Sequence, residues 1–254
     1  MKLCVLASGS SGNCTFISTG TTRILIDAGL SAKKTAERLA EIGERVEDVD
    51  AICVTHEHTD HISGLRVLQK KHEIPVYTNA ETRAGIDSNL AGGCFSTGFS
   101  FSIGDFSIHP FSVPHDANDP VGFIFSAGDR MVGVATDIGM VTNLVREKLR
   151  ACEVVVIEAN HDEELLHAAS RPWSLKQRIL GNRGHLSNRA SAELIAEVAG
   201  EGLTHLFLAH LSADCNHPAH ARRLFETVLA DAGHDHVQVY LTGADEVSKV
   251  LRLE

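Results

Sequence analysis

Residues 55–61 read Thr-His-Glu-His-Thr-Asp-His, a heptad whose side-chain types and spacing suit metal binding. The heptad follows a short apolar run that predicts a buried strand. Residues two apart in an extended chain point to the same side, so His56 and His58 can present their imidazoles to one metal ion. Asp60 and His61 follow at the start of an amphipathic stretch and offer a carboxylate and an imidazole to a second ion. The heptad therefore predicts a pair of divalent cations, Zn²⁺ or Mn²⁺.

The heptad is one of several places where a predicted strand ends at a potential metal ligand. Short apolar runs stop at an acidic residue or a histidine at six positions, namely Asp27, His56, His115, Asp137, Glu158 and His210. The carboxyl ends of strands are where α/β sheets place their functional sites. A polar loop that is rich in histidine by chance would not be accompanied by this recurrence.

Three of these strand ends complete the predicted metal centre. One ion is expected to bind His56, His58, His115 and Asp137. The other ion is expected to bind Asp60, His61, His210 and Asp137. Asp137 is assigned to both ions because each of its carboxylate oxygens can serve one of them. Taken singly, His115 and His210 would more often be structural histidines, and the neighbouring heptad favours the ligand interpretation.

Three further side chains are expected to support the metal ligands or contact the substrate. Asp27 can accept a hydrogen bond from a ligand imidazole and so fix its tautomer. Glu158 and His161 lie at and just after another strand end. We expect both to support the ligands or contact the substrate, without binding metal directly.

The composition limits the class of protein. The chain has 254 residues, 43% of them hydrophobic, with no linker-like tract, which predicts one domain over residues 1–254. Its six cysteines form no C-x-x-C pair and are expected to be reduced thiols. The sequence shows no signal peptide and no membrane span, so we expect a cytoplasmic protein without a membrane partner. The pattern predicts no particular oligomeric state.

The order of predicted elements indicates an α/β fold. Strands come in two groups, each followed by helices, and residues 94–136 read as antiparallel strands. Two mixed β-sheets packed face to face, with helices outside, would accommodate this order. The sequence therefore predicts an αββα four-layer sandwich whose site lies along one edge of the sheets.

The assembled residues resemble the metallo-β-lactamase superfamily, whose hallmark is H-x-H-x-D-H. Outside the heptad, Asp27, His115 and Asp137 match the first, third and fourth motifs of the superfamily. A closer resemblance is to the bacterial YycJ/WalJ group of metal-dependent exonucleases. Four segments of this chain carry that resemblance, at residues 8–13, 158–162, 184–188 and 210–218. The resemblance implies the sandwich fold, a dinuclear centre and activity as a DNA 5′ exonuclease.

The expected substrate contacts come from three parts of the chain. Residues 165–192 contain no acidic residue although the net charge of the protein is −10, and their basic side chains are expected to bind phosphates: Arg171, Lys176, Arg178 and Arg183. A solvated helix face is the alternative interpretation of this segment. The Gly-rich loop 8–13 could form an anion-binding nest of backbone N–H groups, with substrate contacts from Ser10, Ser11 and Asn13. The resemblance places His185 near the scissile phosphate, and we expect Ser187 and Asn188 beside it.

The charges of the predicted centre favour an anionic substrate. Two divalent ions bring more positive charge than the carboxylates of Asp60 and Asp137 cancel. Such a centre can lower the pKa of a bridging water and supply a hydroxide nucleophile, while both ions polarise the phosphoryl group. We therefore predict a dinuclear phosphodiesterase that acts on nucleic acid, expected to be DNA, with Asp60 and His185 in catalytic roles.

Other functions fit the same residues less well. A related phosphodiesterase could act on RNA or on small nucleotide esters, and a thioesterase of the glyoxalase II type would share the ligands but has less use for the basic segment. A β-lactamase is normally exported, and this chain shows no signal. Di-iron redox proteins of the superfamily typically replace the second histidine of the heptad with Glu, whereas His58 is present here. A non-catalytic scaffold would be expected to have lost ligands, and none is missing.

Overall fold

The computed structural model describes residues 1–87 and 89–253, so Ser88 and Glu254 lie outside the described residues. Most strands are short and apolar, as expected for strands buried on both faces. In chain order they are β1 (Lys2–Ala7), β2 (Cys14–Ser18), β3 (Arg23–Ile26), β4 (Ala51–Cys53), β5 (Val76–Tyr77), β6 (Phe101–Ile103), β7 (Phe106–Ser112), β8 (Val121–Ala127), β9 (Arg130–Ala135), β10 (Val154–Glu158), β11 (His205–Ala209), β12 (Gln238–Leu241) and β13 (Leu251–Arg252).

These strands form two mixed sheets, which confirms the predicted fold class. The first sheet has the order β13-β1-β2-β3-β4-β5, and the second has the order β12-β11-β10-β9-β8-β7-β6. Strands β3, β4 and β5 run parallel, as do β9 to β12. Strands β6 to β9 form the antiparallel part that the sequence predicts within residues 94–136.

The helices are short, and several begin at a side chain that caps the N-terminus. They are α1 (Ala32–Glu41), α2 (Thr59–Ile62), α3 (Leu65–His72), α4 (Ala80–Ile86), α5 (Asn143–Leu149), α6 (Glu163–Ala168), α7 (Trp173–Leu180), α8 (Asn188–Val198) and α9 (Pro218–Asp231), with a 3₁₀ turn at Val46–Asp48. Ser31 and Ser187 accept N-terminal backbone N–H groups of α1 and α8, as their sequence positions predict. No helix among residues 1–87 and 89–253 is long and apolar enough to cross a membrane.

Three apolar clusters show how the layers pack. A central cluster joins residues of both sheets, including Ile26 and Phe123, and therefore fills the space between them. A second cluster packs α5, α8 and α9 on the outer face of the second sheet. A third packs α1 and α3 on the outer face of the first. Phe123 has no exposed surface, and replacing such a side chain with Ala typically costs about 3–5 kcal/mol.

Candidate metal centre and substrate cleft

Left-handed backbone marks the strand ends that carry the candidate site. Among the described residues, four non-glycine residues have positive φ, and three of them are predicted site residues: Asp27 (62°), Asp137 (57°) and His210 (55°). Each follows the end of a strand by one or two residues. L-residues rarely adopt this conformation, and such strain concentrates at functional sites. The sharp turn after each strand thus places an acidic or imidazole side chain at the sheet edge.

The heptad is anchored against the turn that follows β3. His56 follows the end of β4, and α2 begins at Thr59 and carries Asp60 and His61. The backbone carbonyl of Asp60 accepts a hydrogen bond from the Asn13 N–H at 2.8 Å. A Cβ atom on Gly29 would lie 1.7 Å from that carbonyl oxygen. Only glycine at this position allows the turn and the heptad to approach each other this closely.

Hydrogen bonds on the outer nitrogens fix four of the five predicted imidazole ligands. His61 donates from Nδ1 to Asp27 at 2.8 Å, and His115 donates from Nδ1 to the Gly184 carbonyl at 3.1 Å. The Nδ1 atoms of His56 and His210 are similarly paired, with Thr55 Oγ1 at 3.0 Å and Glu158 Oε1 at 3.1 Å. A donor at Nδ1 leaves the lone pair on Nε2, so each of these rings offers Nε2 to a metal.

His58 is oriented differently from the other four. Its Nδ1 atom lies 3.3 Å from His115 Nε2. Two nitrogens bound to one zinc in a tetrahedral site are separated by about 3.3 Å, given Zn–N bonds of about 2.0–2.1 Å. His58 therefore offers Nδ1 to the same ion that His115 would bind through Nε2.

The predicted ligands converge on Asp137. Nε2 of His61 lies 3.2 Å from Asp137 Oδ2, whereas Nε2 of His210 lies 3.6 Å from Asp137 Oδ1 and Nε2 of His115 lies 3.9 Å from it. Several compact donor groups result, of which three consist of predicted ligands alone: His56, His58 and His115; His56, His61 and Asp137; and Asp60, His61 and His210. The structure thus brings all seven predicted ligands together.

The residues at this centre fit divalent cations. His56 Nε2 is buried and has no hydrogen-bond partner among the described residues, and the buried Asp137 Oδ2 has only the charged contact with the His61 ring at 3.2 Å. An unpaired buried nitrogen or oxygen is costly unless a partner satisfies it. Imidazole and carboxylate donors together suit Zn²⁺ or Mn²⁺. Bound cations would therefore satisfy the atoms that the protein alone leaves unpaired.

Protons take the place of cations when no metal is bound. Burial acts to lower the pKa of His210, but Asp137, Asp60 and Glu158 outweigh it and raise this pKa to about 10. Burial likewise opposes the charged form of His61, yet Asp27 and Asp137 raise its pKa well above the usual range. Metal binding must displace protons from these two imidazoles.

A second imidazole and carboxylate pair borders the centre. His185 donates from Nδ1 to Glu158 Oε1 at 2.7 Å, and Oε2 of Glu158 accepts from the backbone N–H of Ile138 and Leu186. Burial acts to lower the pKa of His185, but Glu158 raises it above the ordinary value. His185 lines the cleft and has its Nδ1 tied to a buried carboxylate, so its Nε2 is available to a substrate. Glu158 therefore supports both His185 and His210.

A cleft of about 220 Å³ opens over the centre. Its walls include the predicted ligands His58, Asp60, His115, Asp137 and His210, together with Ser10, Arg171, Arg178 and His185 from the predicted substrate contacts. Arg171 pairs with Asp214 at 2.9 Å and Arg178 pairs with Asp116 at 2.5 Å. Two of the four predicted basic residues therefore face the cleft.

The other two basic residues lie elsewhere. Lys176 is buried, and its Nζ donates to the His167 carbonyl at 2.6 Å, so it holds α7 against the preceding helix instead of facing the cleft. Arg183 is exposed and lines a separate depression beside Pro114 and Asn118. The prediction that Lys176 binds phosphate is corrected by this hydrogen bond.

The structure also corrects the placement of Ser187 and Asn188. Ser187 caps α8 and donates to Glu163 at 2.8 Å, and the buried Asn188 exchanges hydrogen bonds with Asn216. Both side chains line a neighbouring pocket together with His161. His161 is one step further from the metal centre than predicted, because its Nδ1 pairs with Asn160 Oδ1, and Asn160 in turn donates to His210.

The loop 8–13 uses most of its backbone N–H groups within the protein. Those of Ser8, Gly9, Gly12 and Asn13 donate to other protein groups, so a nest could use only the N–H groups of Ser10 and Ser11. The Asn13 side chain is buried and donates to Asp60 at 3.2 Å, so it positions a ligand instead of binding substrate. Ser10 lines the cleft, whereas Ser11 is exposed and lies outside it.

Six residues that line the cleft are absent from the predicted site: Asp116, Asn160, Leu175, Ile179, Gly184 and Ser212. Asp116 directly follows the predicted ligand His115 and has one oxygen 3.3 Å from Nε2 of that ring. Asn160 donates to the His210 carbonyl at 2.9 Å. The position of Asp116, beside a strand-end histidine, was the available signal for it. Asn160 lies in the segment 158–162 that carries the family resemblance, but an uncharged amide after a strand is too common in any fold to indicate a site by itself.

Comparisons with known proteins agree with this geometry. Residues 22–210 match the family model described as a beta-lactamase superfamily domain. The exodeoxyribonuclease YycJ of Bacillus anthracis is 38% identical over 236 residues, covering 90% of this chain and 89% of the relative. The exodeoxyribonuclease WalJ of Streptococcus pneumoniae is 37% identical over 263 residues, covering 99% and 98%. The crystal structure of the metallo-beta-lactamase fold protein YhfI of Bacillus subtilis superimposes with a TM-score of 0.73 at 17% identity, covering 97% of this chain and 98% of YhfI.

The matched region contains the whole heptad and extends to His210. Identity above a third over nearly the full length of both chains also confirms the predicted relation to the YycJ/WalJ group. The chain therefore belongs to the metallo-β-lactamase superfamily and, within it, to the YycJ/WalJ group, and it is a metal-dependent hydrolase.

Proposed function

We propose that this protein is a dinuclear metal-dependent phosphodiesterase that hydrolyses nucleic acid as a DNA 5′ exonuclease. The observation that carries the proposal is the grouping of seven potential donor side chains, Asp137 among them, beneath a cleft that two arginines line. The names of the two relatives, both exodeoxyribonucleases, support DNA as the substrate.

Each ion has its own set of side chains in this proposal. His56, His58, His115 and Asp137 would hold one ion, and Asp60, His61, His210 and Asp137 would hold the other. Two bound divalent cations would supply a hydroxide nucleophile at neutral pH and polarise the phosphoryl group under attack. The protein contributes the fixed orientation of the rings, because their outer nitrogens are already hydrogen-bonded.

The remaining cleft residues have roles that follow from their contacts. Arg171 and Arg178 carry guanidinium groups that suit phosphate oxygens, each already paired with one carboxylate. His185 holds a proton more readily than an ordinary imidazole because Glu158 stabilises its charged form. It can therefore donate a proton from Nε2 to the leaving oxygen when the phosphodiester bond breaks. Asp60, at the edge of the same cleft, would orient the attacking group.

Digestion of end-labelled nucleic acid tests the proposal. The metal-loaded protein should shorten DNA stepwise from the 5′ end, with labels placed at each end in turn to show the polarity. Asp60→Ala should lose this activity. Asp231→Ala should keep it, because Asp231 is exposed at the end of α9 and does not line the cleft. Preferential digestion of RNA would show that RNA, and not DNA, is the substrate. Hydrolysis of thioesters without any nuclease activity would contradict the proposal.

A further inference from the structure

One of the five imidazole ligands lacks a partner for its outer nitrogen. His56, His61, His115 and His210 each pair that nitrogen with a neighbouring oxygen at 2.8–3.1 Å. His58 offers Nδ1 to the metal, so its Nε2 carries the outward N–H. Among the described residues, that atom forms no hydrogen bond, and a carboxylate oxygen, Asp116 Oδ1, lies 4.0 Å from it. Metal-bound histidines almost always donate this hydrogen to an acceptor.

Asp116 has an unmatched atom of its own. Its Oδ1 is buried and has no hydrogen-bond partner among the described residues, although it lies 3.3 Å from the ring of His115. Its other oxygen, Oδ2, accepts a hydrogen bond from Arg178 Nε at 2.5 Å. The unpaired Oδ1 of Asp116 and the unpaired Nε2 of His58 are therefore about 1 Å further apart than in a hydrogen bond.

We propose that Asp116 is a positioning residue that ties the metal ligand His58 to the cleft residue Arg178. One carboxylate oxygen accepts the Nε2–H of His58 and holds the ring with Nδ1 toward the metal. The other oxygen stays on the guanidinium of Arg178, which limits how far the carboxylate can turn. The inference rests on the proposed function, since it concerns the metal centre, but its test does not use nuclease activity.

The chain provides a matched control for this role. Asp214 also pairs with an arginine of the cleft, Arg171, at 2.9 Å. No imidazole contact to Asp214 is recorded among the described residues, so it shares the ion pair but not the metal ligand. Asp116→Asn and Asp214→Asn are therefore the same chemical change, made at two carboxylates that differ in their contact with His58. In Asp116→Asn, an amide oxygen that accepts from Arg178 leaves the NH₂ group facing the His58 N–H, so donor meets donor.

The test measures Zn²⁺ affinity by competition with a chromophoric chelator. Asp116→Asn should lower the affinity for one of the two Zn²⁺ ions by about 10–100-fold, as removal of a group that hydrogen-bonds a metal ligand usually does. Asp214→Asn should bind both ions within about threefold of the unchanged protein. Asp116→Glu, which keeps the carboxylate, should recover part of the affinity. Circular dichroism and thermal unfolding verify that each variant is folded.

A double-variant cycle identifies the route of the effect. If Asp116 acts through His58, adding Asp116→Asn to His58→Ala should weaken Zn²⁺ binding no further. A full additional loss in the double variant would overturn the inference, because Asp116 would then act through another ligand or bind the metal itself. Unchanged affinity in Asp116→Asn, or equal losses in Asp116→Asn and Asp214→Asn, would overturn it as well. Failure of the proposed function would appear separately, as absent nuclease activity in the unchanged protein.

Discussion

Replacing Glu158 with Gln would change the hydrogen bond that supports His210 while leaving every proposed ligand residue in the chain. Glu158 is fully buried, with Oε2 accepting two backbone N–H groups and Oε1 accepting Nδ1–H of His185 and His210. If the Gln oxygen keeps the two backbone bonds, its NH₂ group faces both rings. Both imidazoles must then accept at Nδ1 and carry their proton on Nε2, which is the atom that His210 would offer to the metal.

The size of the effect on stability follows from the pKa of Glu158. Burial acts to raise this pKa, but His185 and His210 outweigh it and lower it from 4.5 to about 2. A pKa lowered from 4.5 to about 2 corresponds to about 3 kcal/mol of stabilisation of the ionised carboxylate in the folded protein. Because the folded pKa is lowered, this contribution is fully present above pH 4.5 and is lost as the pH falls toward 2. Glu158→Gln should therefore destabilise the metal-free protein by about 3 kcal/mol at pH 7.

Urea unfolding of the metal-free protein measures that loss, and chelator competition measures metal affinity. We expect one ion to bind about 10–100-fold more weakly in Glu158→Gln. Glu153→Gln is the matched control, because Glu153 stands just before the other end of β10 and pairs with Arg130 at 2.7 Å. Because that ion pair is partly exposed, it should contribute less than about 1 kcal/mol to the free energy of unfolding.

Two results would refute the reasoning about Glu158. Equal losses of stability in Glu158→Gln and Glu153→Gln would show that the buried hydrogen bonds carry no special weight. Unchanged affinity for both ions in Glu158→Gln would show that the tautomer of His210 does not depend on Glu158, or that His210 is not a ligand.

Three further predictions concern the cleft and the ions. Asp60→Ala should lower the rate of hydrolysis by well over tenfold while far-ultraviolet circular dichroism stays unchanged, and a rate above about a tenth would contradict the two-ion assignment. Arg171→Ala and Arg178→Ala should each reduce the steepness with which log K for binding duplex DNA falls with log salt, by about 0.9. Lys176→Ala should leave this slope unchanged. Equal slopes in all three variants would place the two arginines outside the DNA contact. Metal binding at pH 7 should release protons, because the His210 pKa is about 10 without metal. Calorimetry in buffers of different ionisation enthalpy should detect this release, which should decrease as the pH rises through 10.

The fold class, and the grouping of the seven candidate metal ligands in one place, could be predicted because local spacing in the sequence encodes both. The alternation within the heptad puts His56 and His58 on one side of an extended segment, and runs of β-branched residues end at the other candidate ligands. The two sheets and their outer helices follow from the order of these runs. Asp137 follows a strand of the second sheet, and the heptad follows a strand of the first. The two strand ends meet, so Asp137 lies among the imidazoles, as the strand-end positions predict.

The substrate side could not be predicted as well, because it depends on side-chain direction within short helices. Lys176 and Arg178 are two apart on α7, so one faces the preceding helix and the other faces the cleft. Ser187 was correctly identified as a helix cap, and that role occupies the hydroxyl that was also assigned to substrate.

If two ions share Asp137 between the two ligand sets, anomalous diffraction from a crystal of the Mn²⁺- or Zn²⁺-loaded protein will show both of them. We expect two peaks about 3.5–4 Å apart, with Asp137 between them. One peak should lie within bonding distance of His56, His58 and His115, and the other within bonding distance of Asp60, His61 and His210. A single peak would rule out the shared pair of ions. So would an ion pair with His210 more than about 4 Å from either ion, against the roughly 2.0–2.1 Å of a zinc–nitrogen bond.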